Sequence, residues 1–89
     1  MSITISRVVH KSVDIPDSWE DYASTCAWMC DNLHSLNGGD SFYIPEEKKL
    51  REMKEDARKR GSPEWVGMLQ LAIDFGKLNG FDNTYSVAW

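Results

Sequence analysis

The sequence is poor in most of the features that announce a function. Among 89 residues there are two cysteines, Cys26 and Cys30, and three prolines. So few thiols exclude a disulfide framework, and a reducing, cytoplasmic setting is expected. No apolar run approaches the ~18–20 residues that cross a bilayer. The opening MSITISRVVHKSV alternates and lacks the continuous apolar stretch of a signal peptide. Positive charge is the minority: ten Lys and Arg stand against fourteen Asp and Glu, for a net charge of −4. General phosphate binding rests on Lys and Arg, so this balance disfavours nucleic acid and suits a soluble protein or one that meets a basic partner. There is no phosphate loop, dinucleotide fingerprint, internal repeat or linker. Residues 1–89 are expected to form one domain. A chain of this size buries roughly 60–65% of its unfolded surface, which supports one modest core.

What is present centres on Ser62 to Gly80, SPEWVGMLQLAIDFGKLNG. Ser62 suits an N-cap and Pro63 the first helical position, while Asn79-Gly80 supplies a left-handed stop. Trp65, Val66, Met68, Leu69, Leu71, Ala72, Ile73, Phe75 and Leu78 cover all but a wedge of Gly67, Gln70, Asp74 and Lys77. A helix so apolar must be packed on from several sides, and it is read as the core. Gly76, mid-face, leaves room for another backbone to approach.

The remaining elements follow from period and punctuation. Residues 2–15 place Ile3, Ile5, Val9, Val13 and Ile15 on one parity, a strand pattern that Arg7 and Lys11 interrupt and Pro16 ends. Asp17 and Glu20 have capping-box spacing, so a helix is expected from Asp17 to about Leu36, with Asn37-Gly38-Gly39 as its stop. Its apolar face comprises Trp19, Tyr22, Ala23, Cys26, Ala27, Met29, Cys30, Leu33 and Leu36. Ser41 to Ile44 favours a short strand. A charged helix runs from Pro45 to about Arg60 with a thin stripe of Leu50, Met53 and Ala57, and Gly61 stops it. Thr84 to Trp89 alternates as a closing strand, beside the first. The expected fold is α+β: a small single domain of three helices with an antiparallel sheet from the terminal strands. The alternative is a mostly helical domain with extended tails.

Three constellations carry possible chemistry. Cys26, Cys30 and His34 recur every four residues along one side of a helix, a spacing at which thiolates and an imidazole can share zinc. A fourth ligand is missing, and both cysteines fall in the apolar face, where a thiol behaves as a small hydrophobe, so no metal or other cofactor is expected. Cys30 with His34 also resembles a nucleophile–base pair, but nothing orients the base or forms an oxyanion hole, and no enzyme is expected. The charged helix followed by the core helix has the outline of a helix-turn-helix. Its second member must show polar side chains to bases, and here it is the most apolar helix.

Trp28 is the most informative single residue. It falls on the polar side of the first helix, with Asp21, Ser24 and Asn32 around it as a rim. Asp17, Glu20 and Asp21 gather acid at that helix's start, and residues 1–44 hold six acidic side chains against two basic ones. These residues are the expected partner-binding surface of a non-catalytic acidic protein; the alternative is that a terminal strand or the partly apolar second helix covers Trp28. By analogy of size and charge, such a chain occludes a basic site on a nucleic-acid-processing enzyme, as phage anti-defence and toxin-immunity proteins do. The rival readings are a homo-oligomeric, nucleic-acid-associated regulator and a small metal-binding protein using Cys26, Cys30 and His34.

Overall fold

The structure, a computed structural model, describes residues 3–8, 11–33 and 40–89. It is an α+β fold in the order β1 (Thr4–Arg7), α1 (Tyr22–Asn32), β2 (Ser41–Ile44), α2 (Glu47–Lys59), α3 (Pro63–Asn79) and β3 (Asn83–Ala88). The strands form one antiparallel sheet in the order β1-β3-β2, so the last strand lies at the centre. Pairing sets Ile5 opposite Val87 and Phe42 opposite Tyr85. Because side chains alternate across a strand, Ile5, Phe42, Ile44, Tyr85 and Val87 share one buried face. The other face carries Thr4, Ser6, Ser86 and Ala88, with the hydroxyls of Ser6 and Ser86 3.1 Å apart.

Helix α3 lies against the buried face. The Phe75 ring meets Phe42 at 5.4 Å, Tyr85 at 4.8 Å and Trp19 at 5.2 Å between centroids. Its sequence bounds agree with the reading from Ser62 to Gly80, although Ser62 makes no side-chain capping bond. Two details differ. Leu78 is 54% exposed, so it lies outside the core. Gln70 and Asp74 are half-buried, because Lys54 of α2 donates to Gln70 Oε1 at 2.5 Å and Gln70 donates to Asp74 at 3.0 Å. Packing of α2 along this side thus closes part of the polar wedge. At Gly76 the close neighbour is a ring and not a backbone: an added Cβ would stand 2.3 Å from the Phe81 side chain.

The N-terminal third departs most from the sequence pattern. Strand β1 covers four residues instead of the fourteen of 2–15. Within it Ser6 also bridges Ser12 and the Arg7 N–H donates to Lys11 O, so residues 11 and 12 lie against β1. Residues 13–21 then cross the core as an irregular strap. Pro16 and Trp19 are buried, and Val13 and Ile15 pack against the core. The buried Asn79 fastens this strap: its Oδ1 accepts from Asp14 N at 2.7 Å and its Nδ2 donates to Asp14 O at 2.7 Å.

Helix α1 therefore begins at Tyr22 and not at Asp17. The Trp19 N–H turns back to Pro16 O, and the working cap is Asp21, whose Oδ1 accepts from Ser24 N at 3.1 Å. Helix α1 ends at Asn32, short of the expected Leu36; the expected stop at Asn37-Gly38-Gly39 lies outside the described residues. Its buried residues are Thr25, Cys26 and Met29, while Ala23 and Ala27 are exposed. Cys26 and Met29 are buried as expected, but the helix is turned so that Trp28 packs against the core in place of Ala23 and Ala27, because an indole removes far more apolar surface from water than two alanines.

Candidate functional site

The rotation of α1 decides the setting of Trp28. It is half-buried at the edge of the core, not opposite it, and its ring meets that of Trp65 edge-on at a centroid distance of 5.0 Å. Trp65 is also half-buried and comes from the first turn of α3, which Pro63 starts and the tight corner at Gly61 aims. At that corner Gly61 has φ 71°, and the Ser62 N–H returns to Ala57 O at 3.0 Å. The two tryptophans thus join α1 to α3. Edge-to-face pairs of this kind contribute ~0.5–1.5 kcal/mol beyond area burial. Trp65 was not read from sequence as a site residue, since its place in the helical pattern is that of a core residue.

The expected rim is present on α1. Asp21, Ser24 and Asn32 are exposed, and they lie seven before, four before and four after Trp28, on one stripe of the helix. Asn32 Nδ2 donates to Trp28 O at 3.0 Å. Asp31, three residues beyond Trp28, is exposed too, as is Glu64 next to Trp65. Asp17 and Glu20 are exposed on the strap that leads into Asp21. The structure brings Trp28, Asp21, Ser24 and Asn32 onto one helix side, with Asp17 and Glu20 on the preceding turn instead of in the helix.

Charge is divided unevenly. The two ion pairs among the described residues, Arg51–Glu47 at 2.5 Å and Arg58–Glu55 at 2.6 Å, both lie within α2. Seven of the ten cations belong to residues 46–60. The exposed carboxylates Asp17, Glu20, Asp21 and Asp31 have no ion-pair partner among the described residues. Their field is therefore available to a ligand of opposite sign.

The thiols are set up differently. Cys26 is fully buried, and burial, with Cys30 beside it, pushes its pKa up to about 12. Burial, then the negative charges of Asp40 and Asp31, pushes Cys30 up to about 11. Both are protonated near neutrality, which is unfavourable for a nucleophile. Among the described residues no group of three His, Cys, Asp or Glu side chains is placed to hold a metal ion. His34, the third member of the expected set, lies outside the described residues, as does His10. No helix among the described residues is long and apolar enough to cross a membrane.

In comparisons with known proteins, no family model, curated protein or solved structure matches the chain.

Proposed function

We propose that this chain is a non-catalytic protein that acts by binding another protein with a basic surface. The observation that carries the reading is Trp28, a large aromatic half-buried against Trp65 and bordered by exposed Asp21, Ser24 and Asn32. An aromatic anchor seated in a firm base, with polar groups around it, is the arrangement that concentrates binding energy in interfaces. The acidic approach through Asp17, Glu20 and Asp21 favours encounter with a basic surface. Occlusion of a basic site on a nucleic-acid-processing enzyme is the mode of action that this charge suits.

Affinity capture with wild-type and Trp28→Ala baits, each shown folded by circular dichroism, tests the proposal. Trp28→Ala is expected to lose the captured partner, with a cost of ~2–4 kcal/mol, or roughly 30- to 1,000-fold in affinity. Charge reversal at Asp17, Glu20 and Asp21 is expected to slow association, and added salt to reproduce the effect. A folded Trp28→Ala that keeps full affinity for the partner overturns the proposal.

A further inference from the structure

Trp65 belongs to the same surface, and the pair with its acidic border specifies what it takes. We infer that the Trp28–Trp65 pair is a seat for an arginine side chain of the basic partner. This inference rests on the protein-binding reading above and names the chemistry of its contact. Each tryptophan is half-buried, so part of each residue remains open to solvent. The edge-on contact at 5.0 Å holds the two rings at 75° to one another. Such a corner offers a ring face bounded by a second ring. Carboxylates stand on both contributing helices: Asp31 one turn beyond Trp28 on α1, and Glu64 beside Trp65 on α3. Neither has an ion-pair partner among the described residues.

Two kinds of group stack on open indoles: cations and nucleobases. A guanidinium is attracted to the ring face and is planar enough to lie on it. The nearby carboxylates add to that attraction. A nucleobase also stacks, but it brings phosphates, and proteins that bind single strands set their aromatics in positively charged grooves. Asp21 and Asp31 give the α1 side of this surface the opposite sign, and Glu64 adjoins Trp65, while the cations at the end of α2, Arg58 to Arg60, lie before the Gly61 corner. A lysine satisfies the carboxylates but lies less well along a ring, so arginine fits both features.

The test is a titration of the intact chain with a nona-arginine peptide, followed through the four tryptophan indole N–H resonances. Saturable shifts are expected for Trp28 and Trp65, with nona-lysine several-fold weaker. Trp65→Leu should weaken nona-arginine about tenfold, as for the loss of a partly desolvated cation–π contact. Asp31→Asn combined with Glu64→Gln changes only exposed groups and so spares the fold. It should weaken binding about threefold and flatten the salt dependence. Nona-lysine binding as tightly as nona-arginine, shifts confined to Trp89, or tighter binding of a deca-thymidine strand would each overturn the inference. Concentration-dependent shifts of Trp28 and Trp65 without peptide would assign the surface to a second copy and overturn it too. If capture depends on Trp28 while nona-arginine neither shifts these indoles nor competes, the arginine seat fails and the protein-binding reading stands. If nona-arginine binds as expected but a Trp28→Ala bait captures the partner undiminished, the reverse holds.

Discussion

Helices α2 and α3 pack side by side and are built on opposite principles. Helix α2 has 13 residues and buries two of them, Leu50 and Ala57. Helix α3 has 17 and buries six. Apart from Met53 the remainder of α2 is charged, with two internal ion pairs, Arg51–Glu47 and Arg58–Glu55. An isolated helix gains only ~0.2–0.5 kcal/mol from each such pair, so α2 is held by tertiary contact along one narrow row. Helix α3 meets the sheet, the strap, α1 and α2, and it supplies the apolar surface that each of them lacks. One helix organises the core and the other covers one of its sides.

The largest test of that contrast is a matched truncation. Phe75→Ala removes a ring in contact with Trp19, Phe42 and Tyr85, and it should cost ~3–5 kcal/mol. Leu50→Ala, equally buried, removes a smaller side chain and no ring contact, and should fall at the lower end of the ~2–5 kcal/mol range for such changes. Urea denaturation gives both values. A larger loss at Leu50 would reverse the roles assigned to the two helices. Total stability of ~5–10 kcal/mol leaves the Phe75 variant close to unfolding.

Asn79→Ala comes next. It removes both bonds to Asp14 and a third to Phe75 O at 3.2 Å, and strands the Asp14 backbone groups. A loss of ~1–3 kcal/mol is expected, with faster amide exchange around residues 13–21 than elsewhere. Uniform exchange would mean that the strap does not depend on α3.

Two glycines within α3 sharpen the picture further. Gly76→Ala places a methyl against the Phe81 ring and should destabilise by ~1–3 kcal/mol, despite alanine's better helix propensity. Gly67→Ala meets nothing within 4 Å and should stabilise by up to ~1 kcal/mol. Thermal melts that move in the same direction for both would contradict the packing at Phe81. The smallest effect is expected on α2, where Arg51→Ala should change stability by no more than ~0.5 kcal/mol, and less in high salt.

Legibility in the sequence followed the strength of local signals. Helix α3 has Pro63 at its start, Gly80 at its end and a continuous apolar surface between, so its bounds were readable to the residue. Strand β2 was equally clear between Ser41 and Ile44. The strap was not, because Val13 and Ile15 keep the parity of a strand while the backbone of Asp14 between them bonds to the Asn79 side chain instead of to a ladder. A side-chain clamp between positions 65 residues apart leaves no periodic trace. The start of α1 was misplaced for a related reason: Asp17 and Asp21 are both competent caps, and only the burial of Trp19 within the strap selects Asp21. At the candidate site, Trp28 and its rim were visible as a break in amphipathic pattern. Trp65 fits its own helix's pattern, and only the crossing of α1 over the start of α3 joins it to Trp28.

The position of β3 has a consequence for assembly. Strands β1 and β2 are not bonded to each other; each finds its ladder only on β3, and the Ser6–Ser86 contact spans 80 positions. During synthesis every helix therefore emerges before any part of the sheet can close. Native topology of this kind slows folding, since a long loop must be closed before the pairing rewards it. Until then the apolar sides of β1 and β2 have no central strand between them, and their backbone edges are open to other chains. Loss of residues 83–88 would remove both ladders at once, so the last six-residue strand acts as the keystone of a sheet whose other two members were made long before it.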